Sequence, residues 1–285
     1  MSINTVCVCG AGTMGSGIAQ SAAQAGLTSI LYDLDAETLE KARLAIEKNL
    51  DQLITKQKIT TAERSAIFQR ILFTNEIQHC TADICIEAIV ENIDIKVDLF
   101  NKLVVINNNE TIFASNTSSL SIQRIAERVA IPKRIIGMHF FNPPTIMKLV
   151  EIVRTNLTDE YTVNAVIALA GKMGKTAVIC KDSPGFIVNR VARPFYIEAL
   201  HLVEKENLRP EQIDAIMEAR GFKMGPFKLM DLIGNDINFA VSCSVYEQLN
   251  KPERLKPSPI QEGKVKQGKL GKKSGEGYYF YGKGL

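Results

Sequence analysis

Residues 5–19 read TVCVCGAGTMGSGIA, a short apolar run that leads directly into glycines with the spacing G-x-G-x-x-G. Gly10 allows a tight turn, Gly12 lets the backbone approach a pyrophosphate, and Gly15 lets the next helix pack closely on the strand. That helix points its free N–H groups and the positive end of its dipole at the phosphates. The pattern predicts a dinucleotide site. The residues predicted to contact the cofactor in this turn are Gly10, Gly12, Thr13, Met14 and Gly15.

The second strand of this unit ends in Asp33, 18 residues after Gly15. An acidic side chain at that distance accepts hydrogen bonds from the hydroxyls of the adenosine ribose. Leu34 and Asp35 follow, so the next positions offer no arginine for a 2′-phosphate, and the two carboxylates would repel one. Asp33 therefore favours NAD over NADP. The alternative, a glycine-rich turn without a ligand, is disfavoured by the complete strand–helix–strand unit.

Strand-like runs extend to residue 180, and helical stretches alternate with them up to about residue 139. This alternation predicts an α/β fold with a Rossmann-type, doubly wound, mostly parallel sheet and an antiparallel extension at its end. Residues 36–70 are charged and carry apolar positions at helical spacing, which predicts a helical hairpin inserted in the sheet. The further predicted strands are residues 71–74, 83–89, 111–115, 134–139, 148–153 and 176–180.

A domain junction is indicated at residues 182–186, DSPGF, where a proline and a glycine interrupt regular secondary structure. We expect a nucleotide-binding domain over residues 1–184 and a smaller all-α domain over residues 185–285. The aromatic, glycine-rich tail at residues 273–281 is predicted to be a packed loop, and the lysine-rich run before it a solvated surface. The helices predicted in the second domain are residues 187–204, 210–219 and 230–249.

His139 is one of three histidines, and Glu151 follows it by twelve residues. The runs 134–139 and 148–154 read as strands joined by a Pro-Pro turn. If these strands pair antiparallel about Thr145, His139 and Glu151 lie opposite one another, within hydrogen-bond reach. The carboxylate would orient the imidazole and stabilise the imidazolium that forms when a general base takes a proton. The alternative is a buried histidine bound to backbone and an unrelated, solvated carboxylate.

Other polar residues also follow predicted strands, among them Glu91, Asn116 and Ser118. Ligands of such sheets collect at the carboxyl ends of the strands, so these residues are predicted to converge with His139 on one rim. Each has a structural alternative, since Asn116 or Ser118 could simply cap the next helix. Asn189 lies near the start of the first helix of the second domain, where it could face the cleft.

The composition limits the possible function classes. With 46% hydrophobic and 23% charged residues, the chain resembles an ordinary globular protein. No apolar run approaches the roughly 18 residues of a membrane span and no signal peptide is visible, so we expect a cytoplasmic protein without a membrane partner. A net charge of +3 is too small to indicate nucleic-acid binding. Cys7 and Cys9 form a C-x-C pair without a second pair of ligands, so no metal site is expected.

Motifs spread over nearly the whole chain match one known family. They are residues 10–19, 88–92, 115–119, 139–143, 147–151, 183–190 and 225–227. On these motifs the chain resembles the L-3-hydroxyacyl-CoA dehydrogenases, in particular the short bacterial 3-hydroxybutyryl-CoA dehydrogenases. The resemblance implies NAD-dependent oxidation of an (S)-3-hydroxyacyl-CoA, with 3-hydroxybutyryl-CoA as the expected substrate, and the reverse reduction.

The resemblance also implies roles for the site residues. His139 corresponds to the catalytic base and Glu151 to its partner. Ser118 and Asn189 correspond to the groups that bind the reacting oxygen, and Asn142 to an asparagine that helps to hold the histidine site. The residues that correspond to cofactor contacts are Glu91 and Lys96, near the nicotinamide half, together with Asp33, Asn116 and Ser118.

The hairpin is assigned to coenzyme A by the same resemblance, although by itself it could be scaffold or a packing surface. Lys56 aligns with a lysine that contacts the CoA portion, and Asn49 stands where some members have a serine. Both are therefore predicted to bind substrate. Members of the family form dimers through the helical domain, so we expect a homodimer here.

Two rival functions remain open from the sequence. The first is a related dehydrogenase of a CoA-free 3-hydroxy acid or sugar acid such as L-gulonate, which would share the fold and the His/Glu pair. The second is a dinucleotide-binding dimer without catalytic activity, which would not need His139, Glu151, Ser118 and Asn189 together.

Overall fold

The computed structural model describes residues 3–282, and its central element is an eight-stranded sheet. The strands are β1 (Thr5–Cys9), β2 (Thr28–Tyr32), β3 (Ile71–Thr74), β4 (Ile84–Glu87), β5 (Ile112–Ser115), β6 (Ile135–Phe140), β7 (Leu149–Arg154) and β8 (Thr176–Lys181). They lie in the order β3-β2-β1-β4-β5-β6-β7-β8. Neighbouring strands are parallel except β6 and β7, which are antiparallel. The predicted doubly wound sheet with an antiparallel extension is confirmed.

Helices connect the strands, and two of them form the predicted hairpin. Asp35 caps α2 by accepting hydrogen bonds from the backbone N–H groups of Glu37 and Thr38. Thr60 and Glu63 form a capping box at the start of α3. The predicted helical hairpin is therefore confirmed. The helices of this part of the chain are α1 (Thr13–Gln24), α2 (Ala36–Thr55), α3 (Thr61–Gln69), α4 (Ile93–Ile106), α5 (Ile122–Ala126) and α6 (Glu160–Lys172).

The carboxyl ends of the parallel strands form one rim. In the strand register, Cys9 of β1 lies beside Glu87 of β4, which lies beside Ser115 of β5. The loops that begin at Gly10, Ala88 and Asn116 therefore leave the sheet side by side. Strands β4, β5 and β6 are buried along their whole length, as parallel strands covered on two faces must be.

The chain separates into two compact units, the first ending at Asp182 and the second beginning at Ser183. The boundary predicted from the sequence, between residues 184 and 185, lies two residues further along. The second unit is mostly helical, as predicted. Its helices are α7 (Val188–Glu206), α8 (Pro210–Ala219), α9 (Pro226–Ile233), α10 (Asn235–Gln248) and α11 (Pro259–Lys266).

The prediction of one helix over residues 230–249 is wrong. Two helices, α9 and α10, meet there at Gly234, whose φ of +105° and ψ of 125° do not fit a helix. Part of the lysine-rich run is helical, because α11 contains Lys264 and Lys266, and Lys266 is exposed as predicted for a solvated surface. The Lys264 ammonium donates a hydrogen bond to the carbonyl of Gly277 in the tail.

The aromatic tail is packed, as predicted, and two buried carboxylates hold it. Asp231 accepts hydrogen bonds from the backbone N–H groups of Tyr278 and Tyr279, both at 3.0 Å. The Tyr279 hydroxyl donates to Asp214 at 2.7 Å. Gly277 is needed for this contact, because a Cβ at that position would lie 2.0 Å from a carboxylate oxygen of Asp231.

Candidate active site

The predicted histidine–glutamate pair forms at the end of the sheet. His139 of β6 and Glu151 of β7 are direct partners in the antiparallel register. The Nδ1 atom of His139 lies 2.7 Å from Oε2 of Glu151, and the two residues are 6% and 1% exposed. Because the carboxylate accepts the Nδ1 hydrogen, the lone pair of the neutral ring lies on Nε2. The predicted register is confirmed.

The imidazole is also held by an aromatic neighbour. The rings of His139 and Phe141 have centroids 4.7 Å apart and an interplanar angle of 54°. The tilted ring of Phe141 on one side and the carboxylate of Glu151 on another restrict the rotation of the imidazole. A ring fixed in this way presents the same nitrogen to a substrate in every encounter, which is what a general base requires.

Asn116 has a structural role that the sequence did not indicate. Its side-chain oxygen accepts a hydrogen bond from the backbone N–H of Phe140 at 2.8 Å. Its own N–H donates to the carbonyl of Glu87 at 2.8 Å. Asn116 therefore joins the ends of β4 and β6 next to His139. The suggestion that Asn116 or Ser118 caps the next helix is wrong, because Ser121 caps α5.

Glu91 holds the loop that carries Ser118. Its Oε1 atom accepts hydrogen bonds from the hydroxyls of Thr117 at 2.5 Å and Ser119 at 2.8 Å, the two neighbours of Ser118. Burial opposes the ionisation of Glu91, but the ammonium of Lys96 and these hydroxyls outweigh it and lower the pKa of the carboxyl below its usual value. The Glu91 carboxylate therefore stays charged at neutral pH.

Beneath this loop lies a buried ion network that sequence reasoning missed. The Lys96 ammonium lies 2.5 Å from Oε1 of Glu87 and 3.2 Å from Oε2 of Glu91. Glu87 also accepts hydrogen bonds from the Ser115 hydroxyl at 2.6 Å and the Ile89 N–H at 2.7 Å. Lys96 is 1% exposed and Glu87 is fully buried. The structure thus places Lys96 between two carboxylates beneath the rim, and its predicted cofactor contact stays a prediction.

The glycine turn has the space and the donors that a dinucleotide needs. Gly10 has a φ of +103°, and a Cβ there would lie 2.6 Å from the carbonyl oxygen of Ala88. A Cβ on Gly15 would lie 1.7 Å from the carbonyl oxygen of Gly10, whereas Gly12 faces open space. Gly12 is also the N-cap of α1, and among the described residues no side chain caps that helix end. The first N–H groups of α1 can therefore bind a pyrophosphate.

Asp33 stands at the edge of this turn. Its Oδ2 atom accepts a hydrogen bond from the Ala11 N–H at 2.7 Å, and its Oδ1 accepts one from the Asp35 N–H at 3.0 Å. These bonds fix the carboxylate at the end of β2, beside the open space at Gly12. The geometry fits the predicted contact with the adenosine ribose. Thr13 is exposed and Met14 is half-buried at the start of α1.

The turn between β6 and β7 packs against the cofactor helix. A Cβ on Gly17 of α1 would lie 2.9 Å from Cδ of Pro144, so this glycine permits the contact. The Lys175 ammonium donates hydrogen bonds to the carbonyls of Pro144 and Met147, and burial lowers the pKa of this lysine. Asn142 is exposed in the same turn. Its predicted support of the histidine site stays a prediction.

The structure separates the two residues predicted in the hairpin. Asn49 of α2 faces α1, where its Nδ2 atom donates a hydrogen bond to Oε1 of Gln20 at 3.1 Å. Lys56 is the exposed C-cap of the same helix, two turns away. Asn49, Asn142 and Thr13 line one small cavity, whereas Lys56 does not.

Asn189 belongs to the second unit and is the second residue of α7. Its carbonyl accepts a hydrogen bond from Nε of Arg193 at 2.9 Å. Arg193 in turn donates to the carbonyl of Asn238 and the hydroxyl of Ser242 in α10. Burial lowers the pKa of Arg193 to about 10, still high enough for a charged side chain at neutral pH. Arg193, which sequence reasoning missed, thus fixes the first turn of α7 on which Asn189 lies.

Among residues 3–282, no group of three or more His, Cys, Asp and Glu side chains is placed to hold a metal ion. The sulfur atoms of Cys7 and Cys9 lie 3.9 Å apart as free thiols. None of the described helices is both long and apolar enough to cross a bilayer.

The fold and the site together define a class of protein. The glycine turn, the open helix end and Asp33 fit a dinucleotide, and the sheet has the strand order of a nucleotide-binding domain. A buried histidine paired with a carboxylate lies on the same rim of the sheet. These features are typical of an NAD-binding oxidoreductase.

Comparison with known proteins gives the family. The 3-hydroxyacyl-CoA dehydrogenase NAD-binding domain matches residues 5–183, and the C-terminal domain of the same family matches residues 185–281. The chain therefore belongs to the 3-hydroxyacyl-CoA dehydrogenase family, as its motifs predicted.

Individual relatives agree with this assignment. The 3-hydroxyadipyl-CoA dehydrogenase of Escherichia coli strain K12 is 43% identical over 281 residues, which are 98% of this chain but 59% of that protein. A probable 3-hydroxybutyryl-CoA dehydrogenase of Bacillus subtilis is 43% identical over 99% of this chain and 98% of its own length. The crystal structure of (S)-3-hydroxybutyryl-CoA dehydrogenase from Ralstonia eutropha is 38% identical and superposes with a TM-score of 0.94, covering 99% of this chain and 100% of that one.

The position of Asp33 predicts a measurable cofactor preference. If Asp33 binds the ribose as predicted, NADH loses a charge-assisted hydrogen bond in Asp33→Ala, whereas NADPH is relieved of repulsion at its 2′-phosphate. The ratio of the Kd for NADPH to the Kd for NADH is expected to fall by at least about tenfold. Fluorescence titration of both cofactors measures this ratio. Any general damage to the turn would weaken the binding of both cofactors alike and would leave the ratio unchanged.

Asp98→Ala serves as the matched control for this experiment, because Asp98 is an exposed acid on α4. Its cofactor ratio should equal that of the unmodified protein. If the ratio in Asp33→Ala equals that of the unmodified protein, the Asp33 carboxylate does not contact the ribose.

Proposed function

We propose that the chain catalyses the NAD-dependent oxidation of an (S)-3-hydroxyacyl-CoA to the 3-ketoacyl-CoA and the reverse reduction. The expected substrate is 3-hydroxybutyryl-CoA, in line with the names of the Bacillus and Ralstonia relatives. The observation that carries the proposal is the buried His139–Glu151 pair on the same rim as the dinucleotide turn. When bound, the nicotinamide would accept hydride from the substrate carbon, or return it in the reduction.

In the proposed mechanism His139 moves the proton. During oxidation Nε2 of His139 takes the proton of the 3-hydroxyl group, and during reduction the imidazolium returns it to the keto oxygen. Glu151 stays ionised, keeps the Nδ1 hydrogen in place and stabilises the imidazolium. One histidine therefore serves both directions.

Three further side chains are proposed to support this step. Ser118 and Asn189 donate hydrogen bonds to the reacting oxygen as negative charge develops on it, a contribution of a few kcal/mol in a dry site. Asn142 helps to hold the histidine site. The hydrogen bonds from Thr117 and Ser119 to Glu91 support the assignment of Ser118, because they fix the backbone on either side of it.

The remaining proposals concern substrate and assembly. Asn49 and Lys56 of the hairpin contact the CoA portion, and the exposed ammonium of Lys56 suits a phosphate. A homodimer through the helical unit is supported by large apolar side chains that this unit exposes, Ile216 at 63% and Ile237 at 51% among them. The cytoplasmic location expected from the sequence stays a prediction.

Turnover of a matched pair of substrates tests the proposal. Purified protein is mixed with NADH and either acetoacetyl-CoA or free acetoacetate, and nicotinamide absorbance is followed. Rapid oxidation of NADH with the thioester alone is expected. Equal rates with free acetoacetate would favour the CoA-free dehydrogenase, and tight NADH binding without turnover of any 3-ketoacyl substrate would favour the non-catalytic dimer.

Substitution of His139 tests its proposed role in proton transfer. In His139→Gln the side chain can still accept a hydrogen bond but cannot take a proton, so kcat is expected to fall by at least about a hundredfold. The Kd for NADH should stay within about twofold of the original value, because this residue is assigned to proton transfer. Steady-state kinetics and fluorescence titration measure the two quantities.

The matched control is His79→Gln, since the side chain of His79 is 53% exposed in a surface turn. That variant should retain full kcat. Undiminished turnover in His139→Gln would rule out His139 as the base.

A further inference from the structure

Three consecutive hydroxyl side chains follow β5, at residues 117–119, and the middle one differs from its neighbours. The hydroxyls of Thr117 and Ser119 donate hydrogen bonds to Oε1 of Glu91, at 2.5 Å and 2.8 Å. Ser118 lies between them and is half-buried, and among residues 3–282 its hydroxyl has no hydrogen-bond partner. The Ser118 hydroxyl is therefore available to a ligand, whereas the hydroxyls on either side of it are already bonded.

Thr117 bonds to the chain on both sides of Ser118. Its hydroxyl oxygen accepts hydrogen bonds from the backbone N–H groups of Ser119 at 3.2 Å and Leu120 at 2.9 Å. Its own N–H donates to the Ser115 hydroxyl at 3.3 Å. Thr117 is 3% exposed, so it has almost no surface that a substrate could contact. Any effect of Thr117 on a bound ligand must therefore be indirect.

The polar contacts beneath this loop form a closed ring that begins and ends at Thr117. From the Thr117 N–H the ring runs to the Ser115 hydroxyl, which donates to Oε2 of Glu87. It continues through the Lys96 ammonium, which contacts both Glu87 and Glu91, and returns from Glu91 to the Thr117 hydroxyl. Hydrogen bonds to ionised groups are shorter and stronger than those between neutral groups. The ring therefore fixes both the backbone and the side chain of Thr117.

We propose that Thr117 is a positioning residue for Ser118. Its hydroxyl connects the buried ring to the backbone beyond Ser118 and so holds the Ser118 hydroxyl in place for the reacting oxygen. The inference rests on the proposed function, in which Ser118 stabilises negative charge on that oxygen. A donor gives this stabilisation without further reorganisation only if it is held in place before the reaction. Thr117 therefore supports kcat and not the binding of substrate or cofactor.

The test compares two substitutions of Thr117. Thr117→Val keeps the shape of the side chain and removes the hydroxyl, whereas Thr117→Ser keeps the hydroxyl. Acetoacetyl-CoA and NADH are the substrates, and NADH binding is titrated in parallel. In Thr117→Val, kcat is expected to fall by about tenfold, with KM for acetoacetyl-CoA and Kd for NADH within about twofold of the original values. Thr117→Ser should recover kcat to within about threefold of the unmodified protein.

A double-mutant cycle shows whether Thr117 acts through Ser118. Two residues that act through one contact give effects that do not add. When Ser118→Ala is already present, Thr117→Val is therefore expected to change kcat by less than about twofold. An undiminished tenfold loss in that background would overturn the inference, and so would full kcat in Thr117→Val. Full kcat in Ser118→Ala alone would also overturn it, while the dehydrogenase activity would stand.

Thr111→Val is the matched control. Thr111 is fully buried at the other end of β5, and its hydroxyl donates a hydrogen bond to the carbonyl of Ala82 at 2.9 Å. The control therefore makes the same substitution at a buried hydroxyl remote from the rim, and its kcat should equal that of the unmodified protein. An equal loss of kcat in Thr111→Val and Thr117→Val would mean general destabilisation and would contradict the inference.

Hydrogen exchange of single amides, followed by NMR, tests the inference without turnover. The amides of Ser119 and Leu120 are bonded to the Thr117 hydroxyl, so they should exchange at least about tenfold faster in Thr117→Val and at the original rate in Thr117→Ser. Unchanged exchange in Thr117→Val would show that the hydroxyl does not hold the loop. A failure of the proposed function is distinguishable, because the unmodified protein would then turn over no 3-ketoacyl-CoA, whereas the exchange rates would still report on Thr117.

Discussion

The antiparallel pairing of β6 with β7 is the constraint on which the site depends. His139 and Glu151 meet only in this register, and a slip by one residue would turn them to opposite faces of the sheet. Met138 and Ile152, paired one position earlier, are fully buried on the other face and so oppose a slip. Gly137 permits the close approach of the strands, because a Cβ there would lie 2.7 Å from Cβ of Val153.

Next to this pair, the rim contains a buried lysine and a buried carboxylate, whose charges must be neutralised by other groups of the protein. Removing a lysine and a carboxylate from water costs several kcal/mol for each ion, and the attraction between them offsets this only if the remaining hydrogen bonds are made. Glu87 and Lys96 meet that condition, since Ser115, Ile89 and Glu91 complete their hydrogen bonds. The network joins β4, α4 and the loop after β5, so the loop that carries Ser118 is held by electrostatics as well as by packing.

Local patterns allowed much of this molecule to be predicted from its sequence. The glycine turn depends on residues adjacent in the chain, and the His139–Glu151 contact follows from strand alternation and a turn of fixed length. A glycine inside a helical pattern can mark a helix end, so Gly234 could have indicated the break between α9 and α10. The helical pattern on both sides of it favoured a single helix instead. Glu87, Arg193 and Gln20 could not be found in this way. Glu87 accepts a hydrogen bond from Ser115, 28 residues away, and Arg193 donates one to Asn238, 45 residues away. Only the folded structure shows that these buried groups are paired and that Gln20 Nε2 has no partner among the described residues.

The tautomer of His139 shows whether Glu151 holds the imidazole in the form that a general base requires. The chain has three histidines, so ring nitrogens labelled with nitrogen-15 can be assigned by NMR from single-histidine variants. At a pH high enough for the ring to be neutral, we expect the His139 proton on Nδ1 and an unprotonated Nε2. A proton on Nε2 of the neutral ring would rule out this role of Glu151, because the nitrogen proposed to accept the substrate proton would already carry one.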